Sequence, residues 1–171
     1  MKPGWINTGM IVDGVEQPKG FDIYPIRVET RRLLPDRTIY RFELMPDTPL
    51  TFIHPDGRWM QPCKLFETDQ GSVPWLMQRW IPKDRFIAFY LHDSSYLTAY
   101  AWTSFDHGET WGKQTLTRRE ADAILKIGTL LDPAPATERQ ARAIWLGVRL
   151  GGWAAWLRKI RKNYPIPVIN M

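Results

Sequence analysis

The sequence predicts an α+β fold: a small N-terminal antiparallel sheet of three to four strands packed with three C-terminal helices. Three observations predict it. Between about residues 21 and 67 the chain carries short runs of β-branched and aromatic residues separated by turn formers. From about residue 72 the apolar residues recur at helical spacing instead. Helix-start signals stand at Ser72, Thr117 and Thr137 in the same region.

In chain order, residues 1–20 hold four glycines, two prolines and little periodicity, which predicts an irregular N-terminal arm. FDIYPIRVET and TIYRFELM then read as strands; in the second, Ile39, Arg41 and Glu43 alternate with Tyr40, Phe42 and Leu44. Pro55-Asp56-Gly57 separates two further apolar runs as a turn, because proline presets φ and glycine accepts a positive one. TDQGSVPWLMQRWIP opens a short helix at Pro74 under a Ser72 cap and ends it at Pro82. Asp84 to Trp102 forms a helix apolar almost all round, hence a buried one, and residues 103–114 form a polar loop. Thr117-Arg118-Arg119-Glu120 is a capping box for a helix to about Leu131, with Asp122 on its inward side one turn from Arg118. Thr137 starts the last long helix, whose apolar face is expected to hold Ile144, Trp145, Val148, Trp153, Trp156 and Leu157, with a kink or close approach at Gly151-Gly152. The expected organisation is thus the arm over 1–20, one α+β domain over 21–162 with the helical part over about 72–162, and an extended tail over 163–171.

Composition narrows the function. With 171 residues, 44% of them hydrophobic, and nine Trp, the chain is rich enough in apolar groups to exclude disorder. The formal charge of +5 is concentrated in Arg27, Arg31, Arg32, Arg37 and Arg41 and in Arg158, Lys159, Arg161 and Lys162. Such clusters suit phosphate, lipid headgroups or an acidic partner, and the second is the candidate partner-binding stretch. No nucleic-acid-binding motif accompanies them. Cys63 is the single cysteine, so no intrachain disulfide and no cysteine-based zinc site forms, which fits a reducing compartment. The N-terminus lacks the apolar run of a signal peptide, and no stretch has the length of a membrane span.

The chemistry centres on LHDSSYLTAY. His92 and Tyr96 stand one turn apart on one helical face with Asp93 at its edge, and helices joined by a short connection pack antiparallel, bringing Asp122 toward them. Asp69, Ser72 and Arg118 complete the candidate constellation. A histidine oriented by a carboxylate is the minimum apparatus of general-base hydrolysis. Asp93 and Asp69 with loop carbonyls suit calcium, and His92 with these carboxylates suits another divalent metal. The structural alternative has Asp69 and Asp122 capping or pairing locally, with His92 bonded to a carbonyl.

TDQGSVP at 68–74, HDSSY at 92–96 and TRREAD at 117–122 resemble, in order and separation, a family of uncharacterised short phage and prophage proteins. Its pattern is Thr-Asp-x-x-Ser-Val-Pro, His-Asp-x-x-Tyr and Arg-x-x-x-Asp, followed by a glycine-rich, Trp-containing stretch to which LGVRLGGWAAW is similar. The resemblance covers about residues 20–156 and implies a phage or prophage origin, with synthesis in the host cytoplasm, rather than a reaction. The His-Asp-x-x-Tyr helix alone also resembles secreted calcium-dependent phospholipases. That likeness implies His92 activating water, Asp93 binding calcium, Asp122 orienting His92 and Tyr96 supporting them by a hydrogen bond. The cysteines flanking the motif in those enzymes are absent here, and TDQGSVP would replace their glycine-rich calcium loop.

Two expectations follow. One is a metal-assisted hydrolase of the host envelope, acting on lipid or peptidoglycan through His92, Asp122 and Tyr96. The other is a non-catalytic virion component (tail, neck or baseplate) or accessory protein, docking on other virion proteins or the envelope through the basic C-terminal helix and the terminal arms.

Overall fold

The computed structural model describes residues 2–6, 10–12, 15–16, 26–33, 38–44, 50–63, 65–68, 81, 87–153 and 156–157, with side chains for residues 2–6, 50–63, 81, 87–153 and 156–157. The expected Ser72 cap, the helix from Pro74 and the 163–171 tail lie outside the described residues, as do Asp69, Arg158, Lys159, Arg161 and Lys162.

The α+β class holds, with more strands than the sequence suggests. One all-antiparallel sheet is ordered β1 (Gly4–Ile6), β6 (Thr51–Ile53), β7 (Trp59–Gln61), β9 (Tyr100–Ser104) and β10 (Gly112–Thr115). A second is ordered β3 (Val15–Glu16), β2 (Met10–Val12), β4 (Ile26–Leu33), β5 (Thr38–Leu44) and β8 (Leu65–Thr68), and in it β2 and β4 run parallel. The arm expected to be irregular therefore contributes three short strands. Its segments are two or three residues long, too short for a period of two to show in sequence.

The Pro55-Asp56-Gly57 turn joins β6 to β7 as expected: the Gly57 amide donates to the His54 carbonyl at 2.9 Å, with Gly57 at φ 94°. The buried helix is shorter than expected. As α1 it spans Ala88–Thr98 and ends at Ala99, whose left-handed φ of 58° closes the last turn through an amide bond to the Ser95 carbonyl. Tyr-Ala-Trp-Thr-Ser then takes the strand conformation its β-branched and aromatic residues favour, and the expected loop becomes the β9–β10 hairpin.

α1 has no side-chain cap of its own. Asp132, buried just past α2 (Arg118–Leu130), accepts from the Ile87 amide at 2.8 Å and so ties the end of one helix to the start of the other. Both expected capping boxes form, Thr117 with Glu120 at α2 and Thr137 with Gln140 at α3 (Glu138–Gly151).

α1 lies in the middle of the core. Leu91 packs with Phe52, Met60, Ala101, Leu116 and Ile124 against the first sheet. Ala88 and Phe89 pack with Leu125, Ala141 and Ile144 against α2 and α3. Gly128 permits this closeness, since a Cβ there would stand 3.0 Å from the Ala88 Cβ and from the Trp5 ring. No helix among the described residues is long and apolar enough to cross a membrane.

Candidate functional site

A helix buried on all sides must carry its polar side chains into the core, and each needs partners there. α1 does this with His92 and Tyr96, with the half-buried Asp93 beside them, and α2 answers with Asp122, which is 0% exposed. His92 Nε2 lies 3.2 Å from Asp122 Oδ1, and the Tyr96 hydroxyl donates a hydrogen bond to the same oxygen. His92 and Tyr96 stack at 4.2 Å between ring centroids, as their one-turn separation requires.

The other oxygen of Asp122 faces cations. Arg149 of α3 places Nη1 3.0 Å from Oδ2, and Arg118 places Nε 3.6 Å from it. Arg118 also donates to the Arg149 carbonyl, which binds the two arginines into one unit. The second ring nitrogen of His92, Nδ1, points to Asp93 Oδ1 at 3.4 Å. The His92 side chain is 5% exposed and that of Asp93 14%, so the Asp93 side is the more open margin of the cluster.

The charge states follow from these contacts. Burial alone would press the His92 pKa down, but its hydrogen bonds to Asp122 and Asp93 outweigh that and hold it above the ordinary value. Burial likewise acts to raise Asp122, and the bonds from His92, Tyr96 and Arg149 outweigh it, so the carboxyl stays below its ordinary range and ionised. Tyr96 is pushed well above the ordinary phenol value by burial and by the Asp122 carboxylate, so it remains a donor.

The structure thus brings together His92, Asp93, Tyr96, Arg118 and Asp122 from the expected set. Arg149 was not among the expected residues. A signal existed in the sequence, since Arg149 is the single charge between Arg142 and Arg158 in an apolar helical stretch. Trp156 closes the cluster from the α3 side, edge-on to Tyr96 with centroids 5.0 Å apart.

Of the two expected metal ligands, Asp93 is described and Asp69 lies outside the described residues. The described residues contain no group of three or more His, Cys, Asp or Glu able to hold an ion, and both oxygens of Asp122 already face donors. Comparison with protein-family models, with curated proteins and with solved structures gives no match for this chain.

Proposed function

We propose that the protein is a phage-encoded hydrolase of the host envelope, with His92 as general base, Asp122 and Tyr96 as its positioning residues, and lipid or peptidoglycan as substrate. The observation that carries this reading is the division of labour on the imidazole. Asp122 holds Nε2, which keeps its proton when the ring is neutral, while Nδ1 lies on the more exposed side, where Asp93 Oδ1 stands 3.4 Å away and has to turn aside before Nδ1 can accept from water. In the reaction Nδ1 takes a proton from water, the hydroxide oxygen bonds to the carbonyl carbon of an ester or amide, and the imidazolium returns the proton to the leaving group as that bond breaks. The phage origin rests on the three ordered sequence motifs, and no step is routed through a metal.

A second reading also has specific support. His92 is only 4% exposed, and Asp122 is engaged from α1, α2 and α3 together. In that reading the cluster is a clamp joining three helices, and the protein is a virion or accessory component that docks through its C-terminal helix.

The test compares wild type, His92→Ala and Tyr96→Phe on phospholipid vesicles and on peptidoglycan, with calcium and with chelator. The hydrolase reading expects a loss of at least about 100-fold in His92→Ala, and a rate that rises with pH as the imidazolium deprotonates. Activity unchanged in His92→Ala, or absent from wild type on every substrate, overturns it. Recovery of the protein in purified particles supports the docking reading, and its absence from them counts against it.

A further inference from the structure

The last helix has a second apolar side that nothing within the described residues covers. Leu146, Leu150, Trp153 and Leu157 are 42, 78, 59 and 57% exposed. Their spacings of four, three and four place them in one line along the helix. The helix continues past α3 to carry the last two, with the Gly152 amide donating to the Val148 carbonyl and the Trp156 amide to the Gly152 carbonyl. The opposite side, with Ala141, Ile144 and Val148, faces the core. Trp153 and Leu157, expected on the buried face, are therefore outward.

Charge decides what fits this line. After Glu138 the sequence contains no Asp or Glu, and besides Arg149, whose charge meets Asp122, it holds Arg139, Arg142, Arg158, Lys159, Arg161 and Lys162. Arg139 and Arg142 are exposed, and Arg139 stands two turns before Leu146 on the same line. Two copies meeting along this stripe would bring together two wholly basic segments, which repel. A negatively charged surface would be attracted by both features at once. Leucines and a tryptophan on one side with Lys and Arg flanking them is the composition of a helix that lies in the plane of a bilayer interface, its apolar side about 5–10 Å deep. Each basic residue near an anionic surface strengthens the attraction, and salt screens it.

We propose that the Leu146–Leu150–Trp153–Leu157 stripe seats the protein on an anionic lipid bilayer, with the apolar side chains in the headgroup–acyl boundary and the basic residues on the lipid charges. This surface stands on exposure and charge, and does not depend on whether His92 is catalytic.

The experiment is flotation of the full chain with vesicles of phosphatidylcholine alone or with about one third phosphatidylglycerol, at low and high salt. Wild type is expected to float with the phosphatidylglycerol vesicles at low salt, and at least about tenfold less with phosphatidylcholine alone or at high salt. Leu150→Glu and Trp153→Glu are each expected to lower binding at least tenfold while keeping the wild-type melting temperature. Phe105→Ser, at an equally exposed apolar residue on the β9–β10 hairpin, is expected to bind like wild type. Failure of wild type to float overturns the proposal. So does binding that survives both stripe variants, or a dimer in sedimentation that Leu150→Glu dissociates.

Discussion

The Tyr96 hydroxyl occupies the space that a side chain at Gly152 would need: a Cβ there would stand 2.7 Å from the phenol oxygen and 2.5 Å from the Val148 carbonyl. α3 therefore approaches α1 closely at the point where Tyr96 reaches Asp122. Gly152→Ala must push Tyr96 or the helix end aside, and is expected to cost about 1–3 kcal/mol in chemical denaturation. Gly151→Ala next to it meets nothing within 4 Å and is expected to be neutral or slightly stabilising, since alanine favours a helix more than glycine does. Equal losses at the two positions would contradict the close approach.

The His92–Asp122 pair predicts a stability window in pH. The His92 pKa is raised above 6.5, so its contribution is complete below that pH and is lost as pH rises through the raised value. The Asp122 pKa is held below 3.8, so its contribution is complete above that pH and is lost as pH falls through the lowered value. The pair therefore stabilises most between 3.8 and 6.5. The melting-temperature gap between wild type and His92→Gln is expected to be widest there and to narrow in alkali. A gap constant from about pH 5 to pH 9 would show that His92 does not titrate in step with folding.

Cys63 should be chemically quiet in the native protein. Burial raises its thiol to about 11, against a smaller lowering by the Ser94 hydroxyl that donates to Sγ at 2.9 Å. Thiol reagents at pH 8 are expected to label the folded chain far more slowly than the denatured one, which should take up one equivalent. Rapid labelling of the folded chain would mean that the thiol is open to solvent. Ser94→Ala also deprives the Cys63 amide of an acceptor at 2.7 Å, and is expected to cost about 1–3 kcal/mol.

Much of the helical part was legible in the sequence because its signals are local. The Thr117 and Thr137 boxes mark helix starts, and the one-turn spacing of His92 and Tyr96 with an antiparallel partner helix anticipates their meeting at Asp122. The misses have non-local causes. α1 gives way to a strand at Tyr100 because β9 finds partners in β7 and β10, a gain that no helical period records. Trp153 and Leu157 face outward against expectation, because hydrophobicity alone does not tell which of two apolar sides of a helix meets the core. Arg149 belongs to the site through a contact to Asp122, twenty-seven positions away, that depends on how α3 packs.

Trp5 shows when such a fold can be completed. Its indole N–H donates to the Gly128 carbonyl at 2.9 Å, across 123 positions of sequence, and its ring stacks on Phe52 at 4.7 Å. Synthesis delivers residue 5 long before residue 128. The β1 strand can pair with β6 early, but its indole has no acceptor until most of α2 has left the ribosome. The indole thus emerges well before the carbonyl that fixes it, and its final place is set only when α2 is in place.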